Sequence, residues 1–216
     1  MRVIEISNPG GPDVLKLTER AIPTATKDEV LIKVTAAGVN RPDILQRMGL
    51  YPPPPGASDL PGLEVSGEIA ACGDEVTDLA VGDRVCALLP AGGYAEYAIA
   101  DAGSCLPIPS GITMTEAATL PETFFTVYAN VIDDAQLKAG ETFLVHGATS
   151  GIGVCAIMMA KAIGARVIAT ASSRHKCDAA SNLGADMVFR YDEDSWEREI
   201  QSSGCLLYTS PSPRDS

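Results

Sequence analysis

The stretch Val145-His146-Gly147-Ala148-Thr149-Ser150-Gly151-Ile152-Gly153 decides the reading of this chain. It follows a short apolar run over residues 142–146. It opens a segment, 151–163, made almost wholly of apolar and small residues. Strand, glycine turn and helix, in that order, form the setting in which glycines cradle a pyrophosphate. A glycine at 151 removes the Cβ that would block the phosphates, and one at 153 lets the helix pack close to the strand. Free N–H groups at the helix start point at the anion, and the helix dipole favours it. Ala148, Ser150, Gly151, Ile152 and Gly153 are therefore expected to hold a dinucleotide diphosphate. The spacing is Gly-x-x-x-Gly-x-Gly rather than Gly-x-Gly-x-x-Gly. The glycines by themselves also fit a tight turn with no ligand, so the surrounding elements have to decide.

Downstream, residues 166–170 read as a second strand, apolar on both faces as a buried parallel strand should be. Residues 173–183 read as a second helix, ended by Gly184. A third strand is expected over 187–190, and a third helix begins over 195–201. This β-α-β-α-β series is the first half of a doubly wound parallel sheet. In such sheets a carboxylate after the second strand binds the ribose 2′-hydroxyl of NADH. Here the strand ends Ala169-Thr170-Ala171-Ser172-Ser173-Arg174-His175-Lys176, with no carboxylate. Hydroxyls and cations in its place suit a 2′-phosphate. The inferred cofactor is NADPH, with Ser172, Ser173 and Lys176 at the phosphate and Tyr191 at the adenosine end. A serine N-cap followed by two solvated basic residues is the plainer alternative.

Upstream, short apolar stretches recur at 3–6, 14–17, 30–37, 63–71, 84–89 and 94–99. Turn residues such as Pro9-Gly10-Gly11-Pro12 and Val81-Gly82-Asp83 separate them. Close spacing without helices between them points to an antiparallel barrel or sandwich. One helix is expected over 42–48, with Pro42 in its first turn. Tyr51-Pro52-Pro53-Pro54-Pro55-Gly56 then forms a stiff polyproline-like loop, either a spacer or an arm that holds Tyr51. Near residue 112 the pattern turns helical, over 113–120 and 121–137.

Composition narrows the function classes. The chain has 216 residues, 46% hydrophobic, with a formal net charge of -12. Such an acidic surface repels nucleic acid and anionic membranes. No apolar run reaches membrane-spanning length, and Met1-Arg2-Val3-Ile4-Glu5 lacks a signal-peptide core, so a cytoplasmic protein is expected. The six cysteines are scattered and form no C-x-x-C pair, and no His/Cys group has zinc spacing.

Four stretches, the glycine loop among them, tie the chain to a family. They are Ala36-Ala37-Gly38-Val39-Asn40-Arg41-Pro42-Asp43, Pro61-Gly62-Leu63-Glu64-Val65-Ser66-Gly67, Leu120-Pro121-Glu122-Thr123-Phe124-Phe125-Thr126-Val127 and the loop itself. Together they resemble the medium-chain dehydrogenase/reductase superfamily, and within it the zinc-free quinone oxidoreductases, up to about residue 204. The resemblance implies an α/β chain with an N-terminal GroES-like β-barrel domain over 1–120. The first half of a Rossmann-type NADP-binding domain would follow over 121–204. Zinc-dependent relatives carry Gly-His-Glu where this chain has Gly62-Leu63-Glu64, and a cysteine ligand where Asn40 stands. Leu63 cannot ligate a metal, so no metal site is expected. Hydride would then pass from NADPH to a quinone or similar electrophilic small molecule by positioning alone.

The resemblance places Asn40 and Tyr51 at the nicotinamide and substrate cleft and Thr126 against the nicotinamide. It places Ser173, Lys176 and Tyr191 at the 2′-phosphate. Asn40 could instead simply cap the helix that follows it. Two other readings stand beside the quinone reductase: an enoyl-thioester or activated-alkene reductase, and a non-catalytic NADPH-binding protein. The resemblance also implies a homodimer for the full-length enzyme. A sheet of this kind uses about six strands, and three are found, so a C-terminally truncated chain is expected. Cys205 to Asp215 can be encoded codon for codon by DNA that resembles a transposase-type sequencing adaptor. Residues 205–216 are accordingly expected to be a non-native tail, and the truncated chain to be weakly active at most.

Overall fold

The computed structural model describes residues 1–193 and 196–202. The expected tail over 205–216 and Ser195 lie outside these residues. The chain divides into two compact units, Met1–Phe125 and a second that begins at Thr126.

The first unit is antiparallel. Strands β1 (Arg2–Ile6) and β2 (Leu15–Glu19) pair with each other, and an isolated bridge joins Val3 to Ala95. Strands β3 (Glu29–Ala37), β4 (Glu64–Cys72), β5 (Arg84–Leu88), β6 (Tyr97–Asp101) and β7 (Cys105–Pro107) form one sheet in the order β6-β3-β4-β5-β7. Alternation along these strands puts Val30, Ile32, Val65, Ile69, Val85, Ala87, Ala98 and Ala100 into one buried core. Removing such side chains from water is the main source of stability for a sheet with one wet face. Strand β7 was not legible in the sequence. It is three residues long and contains Pro107, whose missing N–H confines it to a strand end or sheet edge.

Helix α1 (Arg41–Arg47) follows β3 directly. Asn40 takes an extended backbone as its N-cap, Pro42 sits in the first turn, and the Asp43 carboxylate accepts the Asn40 N–H at 2.7 Å. Helix α2 is only Met114–Ala117, started by a reciprocal Thr113/Glu116 capping box. The expected single helix over 121–137 is instead two segments. Helix α3 (Pro121–Val127) gives way to a π-helical stretch, Tyr128–Asp134. The Asn130 side-chain Nδ2 donates to the Thr126 carbonyl at 2.8 Å and competes for an acceptor of the α-helical ladder. The Ala135 N–H then bonds five residues back, to the Asn130 carbonyl, and the turn widens.

The second unit holds a three-stranded parallel sheet in the order β10-β9-β8, from β8 (Thr142–Val145), β9 (Arg166–Ala171) and β10 (Met187–Arg190). Helices α4 (Gly151–Ile163), α5 (Arg174–Asn182) and α6 (Trp196–Ser202) follow the strands in turn. This is the half of a doubly wound sheet that the sequence predicts. Central β9 is buried from Val167 to Ala171, as its apolar run requires. Helix α4 ends on Gly164 at φ +92°, and the Asp186 carboxylate ties Lys161 of α4 to the Val167 N–H of β9.

Candidate functional site

In the second unit the turn between β8 and α4 is held from within. The Ala148 N–H donates to the Thr170 carbonyl at 3.0 Å, and the Ser150 N–H to the Gly147 carbonyl at 2.9 Å. The Ser150 hydroxyl caps the helix by accepting the Gly153 N–H at 3.0 Å. These contacts spend the N–H groups of Ala148, Ser150 and Gly153 on shaping the loop. The N–H groups of Gly151 and Ile152 find no acceptor among the described residues, and both residues are exposed. They are the donors the turn offers to an anion, at the positive end of a 13-residue helix. Gly153 is a cradle that a side chain would fill: a Cβ there would lie 2.3 Å from the Gly147 carbonyl oxygen.

At the end of β9 the Lys176 ammonium donates to the Ser172 hydroxyl at 3.1 Å, and Ser173 caps α5 through the Lys176 N–H at 3.4 Å. The structure thus brings Ser172, Ser173 and Lys176 together at one helix start. The Tyr191 N–H donates to the Ala171 carbonyl at 3.2 Å, which sets this residue just beyond β10, and it is 52% exposed. Thr126 opens the second unit as an exposed residue of α3.

In the first unit Asn40 is built into a polar cluster. Its side-chain Nδ2 donates to Glu64 Oε1 at 2.8 Å, and Glu64 Oε2 accepts the Glu122 N–H at 2.9 Å. Asp43 accepts the Gly62 N–H at 3.1 Å and the Tyr94 hydroxyl at 3.1 Å, besides the Asn40 N–H. Asp43 and Glu64 are 4% and 2% exposed, so each is a buried carboxylate surrounded by donors. Burial pushes the Glu64 carboxyl up, while the Glu122 N–H and Asn40 pull it back. Glu122 is pushed up by its own burial and by the neighbouring Glu64 and Asp43 charges. Burial and Asp43 hold the Tyr94 phenol well above its ordinary range. Tyr51, on the proline loop, is 44% exposed.

Sequence reasoning gave no role to Asp43, Glu64, Tyr94 or Glu122. The signal for Asp43 was present: an Asn followed three residues later by an acid at the start of a helix is a capping pattern. Glu64 carried a weaker one, a carboxylate opening an otherwise apolar buried strand.

Comparisons with known proteins give the family and the fold. Residues 26–110 match the alcohol dehydrogenase GroES-like domain, and residues 151–204 match the zinc-binding dehydrogenase family. A solved NAD-dependent alcohol dehydrogenase is 32% identical, with a TM-score of 0.81, over 94% of this chain and 67% of that one. The chain belongs to the medium-chain dehydrogenase/reductase superfamily. Among the superfamily's quinone oxidoreductases, that of Lama guanicoe is 39% identical over 196 residues, 90% of this chain and 59% of its own length. The solved Escherichia coli quinone oxidoreductase complexed with NADPH is 32% identical, with a TM-score of 0.81, over 94% of this chain and 63% of that one. The chain spans 59–62% of the length of the curated quinone oxidoreductases it matches. Its α/β class, a GroES-like unit followed by a Rossmann-type parallel sheet, is that of these structures. No helix among the described residues is long and apolar enough to cross a membrane.

Proposed function

We propose that this chain carries the hydride-transfer machinery of a zinc-free, NADPH-dependent reductase acting on quinones or similar electrophilic small molecules. The observation that carries the cofactor assignment is the Lys176–Ser172 pair at the end of β9, where an NADH-binding sheet would carry a carboxylate. A cation beside two hydroxyls attracts a 2′-phosphate and offers a 2′-hydroxyl no carboxylate to bind. Gly151 and Ile152 supply free N–H groups for the diphosphate, and Gly153 keeps space for the turn that presents them. Ile152, Ala148 and Ser150 shape the same loop, and Tyr191 offers an exposed ring to the adenosine end.

When bound, NADPH supplies the hydride. The acceptor gains two electrons with it and, with a proton from solvent, leaves as the hydroquinone. Leu63 offers no metal-binding atom beside Glu64. Acceptor polarisation is therefore assigned to hydrogen-bond donors, with Asn40 as donor, Tyr51 as the planar contact and Thr126 at the nicotinamide. The likeness to quinone oxidoreductases supports the choice of acceptor.

The test is paired binding and turnover. NADPH should bind more tightly than NADH, and a benzoquinone should be reduced faster than a 2-enoyl thioester. Lys176→Ala should weaken NADPH by about 1.5–3 kcal/mol, roughly 10- to 100-fold in Kd, and leave NADH nearly unchanged. Equal losses for both cofactors would overturn the 2′-phosphate assignment. Preferential turnover of the enoyl thioester would move the chain to the alkene reductases, and tight NADPH binding without turnover would make it a binding protein.

A further inference from the structure

We infer that Glu64 is a positioning residue that fixes the direction in which Asn40 presents its side-chain amide. The inference rests on the reading of Asn40 as the donor to the acceptor. Two buried carboxylates divide the work of holding this residue. Asp43 takes the backbone N–H of Asn40 at 2.7 Å and is itself anchored by Gly62 and Tyr94. Glu64 takes only the side chain, through Oε1, while its other oxygen is fixed by the Glu122 N–H. The Asn40 backbone would be held in place without Glu64, so the contact with Nδ2 has a consequence of its own.

That consequence is chemical. Glu64 Oε2 is committed to the Glu122 N–H, and an ionised carboxylate is an acceptor only, so the Asn40 amide turns its NH2 group toward Oε1. One Nδ2 hydrogen is spent on Glu64. With Oδ1 turned toward the Asp43 N–H at the start of α1, the other hydrogen is left in a single, defined orientation, the choice that an isolated asparagine leaves open. The fold makes room for this arrangement. Gly38, at the end of β3, stands where any Cβ would lie 2.0 Å from Glu64 Oε1. A larger residue there would displace the oxygen that orients Asn40.

Glu64→Gln tests the inference, because a glutamine can offer an acceptor to Asn40 or to the Glu122 N–H but not to both. The chain and its Glu64→Gln, Asn40→Ala and double variants are assayed for NADPH-dependent benzoquinone reduction, with NADPH Kd and Tm measured alongside. Glu64→Gln should lower kcat/KM for the quinone roughly 10- to 100-fold, the scale of a misplaced catalytic contact, with NADPH Kd unchanged. In the Asn40→Ala background it should add nothing further. An unchanged kcat/KM in Glu64→Gln, or losses that multiply in the double variant, overturns the inference alone. Wild-type kcat/KM in Asn40→Ala overturns the reading of Asn40, and the inference with it. A measurement on the unsubstituted protein covers the case in which Glu64→Gln does not fold. In a 15N-labelled sample one of the two Asn40 side-chain amide protons, the one bonded to Glu64, should exchange with solvent much more slowly than the other. Equally fast exchange of both protons would refute the contact.

Discussion

Gly153 illustrates how a residue can be singled out in the sequence for one contact and make another. Its place in the glycine loop called for close packing of the helix on the strand, whereas the close approach in the structure is to the turn, at the Gly147 carbonyl and Ala148. The serine cap that uses the Gly153 N–H was not legible, because a hydroxyl three residues before a glycine is also common in plain turns. Gly153→Ala would force the Gly147 carbonyl to move and would strain the cap. We expect a loss of about 1–3 kcal/mol in stability and a larger fractional loss in NADPH affinity, read by thermal melting and by cofactor fluorescence. A variant that melts like the wild type and binds NADPH as tightly would show that the turn does not depend on this contact. Asn40 shows the converse. Its resemblance-based role drew attention to the side chain, but its partners lie 3 and 24 residues away. Only folding brings Glu64 to it, and no local pattern connects the two positions.

At the scale of elements, strands and helices with a clear period were legible and those governed by competing hydrogen bonds were not. Helix α4 and strand β10 have the expected limits because each is a run of uniform character bounded by turn residues. The π-helical stretch after α3 was missed because its cause is one side-chain amide, Asn130, bonding to a carbonyl four residues back. The start of α3 carries the next prediction. Burial and the Glu64 and Asp43 charges raise the Glu122 carboxyl above its ordinary 4.5, so the folded state keeps its proton to higher pH than the unfolded state does. As pH rises through that window the unfolded chain releases its proton first, and stability falls. Glu122→Gln cannot ionise and escapes the loss. Its Tm relative to wild type should therefore climb between about pH 4 and about pH 7. Asp59 beside Arg20 and Asp186 beside Lys161 are shifted downward and work in the opposite sense, with stability lost as pH falls, but they are common to both proteins. A Tm difference that stays flat across the range would mean that the Glu122 charge is fully solvated.

For the whole molecule, the two units have different means of stabilisation, and ligand binding should separate them. The first unit buries one face of an antiparallel sheet around Ile32, Val65, Ile69 and Val85. In the second, the strands are parallel and β9 is covered along nearly its whole length. That contrast was legible because the strands of the first unit recur closely with no helices between them, whereas β9 is an apolar run set within a β-α-β series. All the residues assigned to the diphosphate and the 2′-phosphate belong to the second unit. A ligand that binds only the folded form stabilises it by mass action, by about 2.7 kcal/mol at about 100 times its Kd. Hydrogen exchange with saturating NADPH should therefore slow most in β8, α4, β9 and the start of α5, and least in the sheet of β3, β4 and β5. Lys176→Ala should reduce the protection by NADPH toward that given by NADH. Slowing of equal size in both sheets would show that the units open as one cooperative body. Slowing confined to the first sheet would place the cofactor elsewhere and remove the basis for the NADPH assignment.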